Sequence, residues 1–148
     1  MITNMSFLIF ISILLVIIVT SMHLVMVKVL IRLERRMGYI TASHVSAAVL
    51  IAIGMHLLEI MVFTVGIALL ANVGNYGQLS GQFGAGFTEY FYYSAVTYTT
   101  LGFGDITPEG SLRILTAIES LTGLVMSAWT ASVIFWGMQR IGDTSKRG

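Results

Sequence analysis

Three long stretches of this chain are almost wholly apolar. Residues 5–27 contain no Asp, Glu, Lys or Arg, residues 45–71 contain Glu59 alone of these types, and residues 114–138 contain only Glu119. A helix crosses a hydrocarbon core of about 30 Å with about 20 apolar residues. Each stretch therefore predicts a membrane-spanning helix. The first is too long for the apolar run of a signal peptide, lacks a preceding basic residue, and is followed by no small-residue cleavage site. It is expected to be a retained helix.

The pattern changes between the second and third stretches. Val73 to Gly86 is polar and rich in glycine (Gly74, Gly77, Gly81, Gly84, Gly86) and predicts a flexible outer loop. Phe87 to Tyr98 is apolar and aromatic, but about 12 residues make only about 18 Å of helix, too little to cross. Such a helix enters the membrane and returns. Thr88 and Glu89 suggest its start, with a hydroxyl to cap free amides and an acid at the positive end of the dipole. Thr99-Thr100-Leu101-Gly102-Phe103-Gly104-Asp105 follows. Non-helical backbone at membrane depth has to line a watery cavity or be buried in protein. Glycines at alternate positions permit positive φ, which turns successive carbonyls to one side. A stack of carbonyl oxygens suits a dehydrated cation.

Composition agrees. The 148 residues are 56% hydrophobic and 10% charged, against about 25% charged in ordinary soluble domains. Cysteine is absent, which removes disulfides and thiolate metal sites. A net charge of +1 offers nothing to a polyanion, so no nucleic-acid partner is expected. The basic residues set the orientation. Lys28, Arg32, Arg35 and Arg36 lie between the first two spans, and Arg140, Lys146 and Arg147 follow the third. Basic loops stay cytoplasmic, which puts the N-terminus outside and the C-terminus inside a plasma or inner membrane. Four basic residues at a membrane edge, followed by a turn at Gly38, anchor a helix and do not make a voltage sensor.

At the segment ending in Gly102-Phe103-Gly104-Asp105 the chain resembles the pore domain of potassium channels, whose signature is threonine-valine-glycine-tyrosine-glycine. The resemblance runs from about Val45 to Met138. It implies an all-α membrane protein: three transmembrane helices, a re-entrant pore helix and an extended selectivity filter, assembled as a homotetramer. It divides the chain into an N-terminal helix and basic loop (1–40), a pore domain (41–140) and a short tail (141–148). Within the pore domain it implies an outer helix at 45–71, a loop at 72–87, a pore helix at 88–99, a filter at 99–105 and an inner helix at 111–138.

By the same resemblance, K+ would bind at the carbonyls of Thr100, Leu101, Gly102 and Phe103, with the Thr100 hydroxyl and Gly104 closing the ion sites. Thr99, Asp105, Tyr92 and Val96 would support them. Leu101 and Phe103 replace valine and tyrosine, and Phe103 lacks the hydroxyl that ties the family's filter to its pore helices. A hydrogen bond from Tyr92 to Asp105 is the expected replacement. Val96 stands where some bacterial relatives have a glutamate, so Asp105 has no acid partner there.

Other residues invite chemistry. His56 and Glu59 share a helix face, and intramembrane ionisable groups are functional candidates by default. Structural pairing, gating by protons and metal binding are all open, although a zinc site needs at least three protein ligands. Glu119 either faces the cavity or accepts hydrogen bonds from the pore helix, with Thr97 and Tyr98 as donors. A buried carboxylate without a partner is costly. Gly123, Ser127 and Ala131 form a small-residue stripe suited to close packing, and Gly123 falls near the hinge glycine of the resembling inner helices. His23 and His44 have no evident partner and read as interfacial or packing residues.

The expected function is a potassium-selective channel subunit that conducts passively. It would need no cofactor beyond permeant K+ and would be partnered by three copies of itself and by membrane lipid. No P-loop is present to suggest a pump or another enzyme. A non-selective cation channel, a non-conducting regulatory membrane subunit and an intramembrane metalloenzyme are the alternatives. Only ten residues follow Met138, so control is expected from the membrane helices, the tails, lipid, protons, voltage on the filter or an unidentified regulatory partner.

Overall fold

The computed structural model describes residues 2–37, 40–73, 76–82, 84 and 86–145. Three long helices dominate it: α1 (Ile2–Arg36), α2 (Ala42–Val73) and, after a short strand β1 (Leu79–Gly81), a short helix α3 (Phe87–Tyr98) and a second strand β2 (Ile106–Pro108), the last helix α4 (Leu112–Ser145). With 35, 32 and 34 residues, the long helices extend about 50 Å each. All three are long and apolar enough to cross a membrane. They outrun the apolar stretches at both ends, because a helix continues past the hydrocarbon while its backbone hydrogen bonds remain satisfied. The turn expected at Gly38, the loop residue Gly74, and Lys146 and Arg147 lie outside the described residues.

Each long helix packs through a narrow stripe. In α1 the stripe is Leu8, Ser12, Leu15, Val19, His23, Met26 and Val27, recurring every three or four residues as a helix face requires. Its neighbours are apolar too but exposed, among them Phe10, Ile13 and Ile17. Outward-facing apolar side chains of this kind suit lipid. α1 packs on both α2 and α4, and α3 fits between α2 and α4. Leu15 lies against Gly66 of α2, where the missing side chain makes room for it.

The architecture is all-helical, as expected, with one added detail: β1 and β2 form a short antiparallel ribbon pairing Leu79 with Pro108, Ser80 with Thr107 and Gly81 with Ile106. The glycine-rich loop is therefore fastened to the segment just after Asp105, and the Gln82 amide extends the fastening by donating to the Asp105 carbonyl at 2.9 Å. The start of α3 differs from expectation. Gly86 is the N-cap and no side chain caps the helix, while Thr88 sits inside it. Glu89 lies in the first turn as expected.

Candidate functional site

The short helix α3 ends at Tyr98, and the chain then leaves helical geometry. Thr99 caps the helix and its hydroxyl donates to the Ala95 carbonyl at 2.7 Å. The next amides fold back on the same turn: Thr100 N–H reaches the Thr97 carbonyl (2.9 Å), and Leu101 and Gly102 N–H both reach the Val96 carbonyl (2.9 and 3.1 Å). Thr100, Gly102 and Gly104 have φ of 61°, 51° and 80°, while Leu101 and Phe103 do not have positive φ. Residues alternating between the two halves of φ space turn their carbonyls to a common side, and glycine does this without the penalty a side chain incurs.

Donors and acceptors are thus separated. Among the described residues, no hydrogen bond reaches the carbonyls of Thr100, Leu101, Gly102, Phe103 or Gly104. All five residues are exposed, Leu101 by 58% and Phe103 by 64%. These carbonyls are left available to solvent or to another partner.

The segment is held from behind. The Tyr92 hydroxyl donates to Asp105 Oδ2 at 2.8 Å, and that carboxylate raises the Tyr92 pKa above its ordinary value of 10.0 by holding the phenol proton. Val96 is buried, and its main support for the segment is its carbonyl, a role that no side-chain motif reveals. Glu119 is fully buried and accepts a very short hydrogen bond from Ser94 Oγ of α3. It faces the short helix, but the donor is Ser94, not Thr97 or Tyr98. Its second oxygen, Oε2, has no partner among the described residues. Gly123 is buried beneath the end of α3, where a Cβ would overlap the Tyr98 carbonyl oxygen. α4 runs through Gly123 without interruption. In this structure the glycine serves close packing.

The largest departure from expectation lies at Glu59. His56 Nδ1 is 2.9 Å from Glu59 Oε2, as the shared face predicts. His23 of α1 is also there, wholly buried, with Nδ1 2.9 Å from Glu59 Oε1. Tyr98 donates to Oε2 at 2.5 Å. Thr130 of α4 lies 3.0 Å from His56 Nε2 and 3.4 Å from His23 Nε2. His23 is thus neither interfacial nor without a partner. It was missed because 36 residues separate it from Glu59, and the signal that would have found it is an imidazole inside an otherwise charge-free span. His44 has a partner too: its Nδ1 accepts from the Thr41 amide at 3.2 Å and lies 2.8 Å from the Thr41 hydroxyl, at the start of α2.

Two of the three comparisons find nothing: no curated protein and no solved structure matches the chain. The third is positive. Residues 55–139 match the profile of the family described as Ion channel, from just before His56 through α3, the free carbonyls and most of α4. The match covers more than half of the 148 residues, and three apolar helices accompany it. This chain is a multi-pass membrane protein of the ion channel family.

Proposed function

We propose that the protein is one subunit of a homotetrameric potassium-selective channel, with α3 as a re-entrant pore helix and Thr99 to Asp105 as one strand of the filter. One observation carries the reading: a row of backbone carbonyls at Thr100 to Gly104 without hydrogen-bond donors, exposed in a single chain. Lipid cannot hydrogen-bond such backbone. Water-filled space, permeant ions and further copies of the chain can cover it together. Rotational symmetry is the usual way to surround an axis with identical strands, and four strands make the ring of carbonyls that replaces potassium's hydration shell.

The surroundings fit this role. Tyr92 takes up the restraint that Phe103 cannot supply, and the ribbon of β1 with β2 fastens the outer loop to the end of the filter. The C-terminal end of α3 carries the negative end of its dipole at the inner end of the filter, which favours a cation there. The basic residues Lys28, Arg32, Arg35 and Arg36 at the C-terminal end of α1 favour a cytoplasmic position for that end and an N-terminus outside.

The test combines mass and flux. Purified protein in detergent should have the mass of four chains, and liposomes containing it should release K+ down a gradient. Gly102→Ala should abolish flux and leave the mass unchanged, since an alanine at φ 51° is strained by about 1–2 kcal/mol within the filter strand alone. A monomeric protein, or stable tetramers with no flux, would favour the non-conducting subunit instead.

A further inference from the structure

All four helices meet at one buried carboxylate. Glu59 is flanked by His56 from its own helix, His23 from α1 and Tyr98 from α3, with Thr130 of α4 behind the two imidazoles. His23, His56 and Glu59 each offer one ligand atom, and these lie within 4.8 Å of one another. We propose that His23, His56 and Glu59 form a binding site for a divalent transition metal of the zinc class, with the Tyr98 hydroxyl at the fourth corner.

The distances suit this. Four ligands about 2.0–2.1 Å from a tetrahedral metal lie on the order of 3.4 Å apart. Here the neighbouring pairs are 2.9 Å (His23 Nδ1 to Glu59 Oε1), 2.9 Å (His56 Nδ1 to Glu59 Oε2), 3.3 Å (His56 Nδ1 to Tyr98) and 2.5 Å (Tyr98 to Glu59 Oε2), so the ligand atoms would draw apart to admit an ion. Two imidazole nitrogens and a carboxylate select zinc, cobalt, nickel or copper over calcium and magnesium, which prefer all-oxygen shells. All the ligands sit on helices, which hold them to a fixed geometry.

Thr130 supplies the second argument. A hydroxyl has one proton to give and two lone pairs to accept with. If both histidines are neutral and spend their Nδ1 protons on Glu59, both Nε2 atoms face Thr130 as acceptors, and one proton serves only one of them. If both Nδ1 atoms bind a metal, both Nε2 atoms carry protons, and the two lone pairs of Thr130 Oγ1 accept both. Metal-bound histidines are typically oriented in this way, by an acceptor on the far ring nitrogen. The outer partner for a bound metal is therefore already in place. His56, with 19% of its side chain exposed, gives the route in, since His23 and Glu59 are closed off.

The site does not depend on which ion the channel conducts. Its consequence is mechanical: Tyr98 precedes the first filter residue, so an occupied site would tie the end of α3 to α1 and α2. The experiment uses untagged full-length protein in detergent, stripped with a chelator and titrated with Co2+. One Co2+ per chain is expected, with the intense visible bands of a four-coordinate centre, displaced by Zn2+. His23→Gln and Glu59→Gln should each weaken binding by about 100-fold or more, while His44→Gln leaves it unchanged. X-ray absorption of the Zn2+-loaded wild type should show two imidazoles, a reading that needs no variant to fold. Absence of Co2+ bands at millimolar metal would overturn the proposal and leave a proton as the cluster's only cation. Binding that survives both ligand substitutions, or a six-coordinate spectrum, would overturn it equally.

Discussion

Removing the Ser94 hydroxyl tests how α3 is held against α4. Ser94 and Glu119 are both completely buried, and the serine donates to Glu119 Oε1. Their alternatives are unequal. Ser94 Oγ also lies 3.2 Å from the Ile60 carbonyl, so it keeps an acceptor if Glu119 is lost. Glu119 has no second donor, because Oε2 is already unpartnered among the described residues. Stranding a buried polar group costs about 1–3 kcal/mol beyond the bond itself, whereas removing both partners is close to neutral. Ser94→Ala should therefore destabilise by about 2–3 kcal/mol and Glu119→Met by about 1 kcal/mol or less. The double variant should resemble Glu119→Met, so the coupling should equal the whole Ser94→Ala loss, about 2–3 kcal/mol. The assay is reversible unfolding in mixed detergent and SDS micelles, followed by the fluorescence of Trp129 and Trp136, both on α4, the first packed against His23. Additive losses, or a larger loss from Glu119→Met than from Ser94→Ala, would refute the reasoning.

Gly123→Ala places a methyl group on the Tyr98 carbonyl, and backbone yields poorly, so a loss of about 1–3 kcal/mol is expected. The same change at Gly54, where a Cβ meets nothing within 4 Å, should keep or raise stability. Equal thermal unfolding of the Gly123→Ala variant and the wild type would contradict the packing. For Tyr92, the phenol pKa raised by Asp105 means that the bond contributes fully below the unfolded value of 10.0 and is lost as pH rises through the higher folded value. The ultraviolet titration of wild type minus Tyr92→Phe should have its midpoint above pH 10, and a midpoint at or below 10 would show no bond.

The departure from helix at Thr99 to Asp105 was readable because its information is local. Two glycines at alternate positions, a double threonine before them and an aspartate after are contiguous, and the positive φ of Gly102 and Gly104 follows from residue type, whereas that of the β-branched Thr100 does not. The spans were equally plain, since hydropathy needs no partner. Which face of each span packs inward was not readable. In α1, Ile13 and Leu15 are equally apolar, yet one is exposed and the other buried, because lipid and protein interior reward the same side chains. Only polar residues break that degeneracy, and Ser12 and His23 do lie on the buried stripe. The ribbon was hidden for a different reason. Three residues such as Leu79-Ser80-Gly81 are too few for an alternating pattern, and their partners stand more than twenty residues away. Ser94 was overlooked as a donor to Glu119 because the neighbouring hydroxyls of Thr97 and Tyr98 looked equivalent until the helix faces were known.

The central claim concerns the carbonyls of Thr100 to Gly104, and its most direct test is the reversal potential of purified protein in a planar bilayer with K+ on one side and Na+ on the other. The account predicts a reversal displaced far from zero toward the potassium equilibrium potential, and no current from Gly102→Ala. A reversal at zero with robust current would contradict potassium selectivity and show that the strand carrying Leu101 and Phe103 passes cations without distinguishing them.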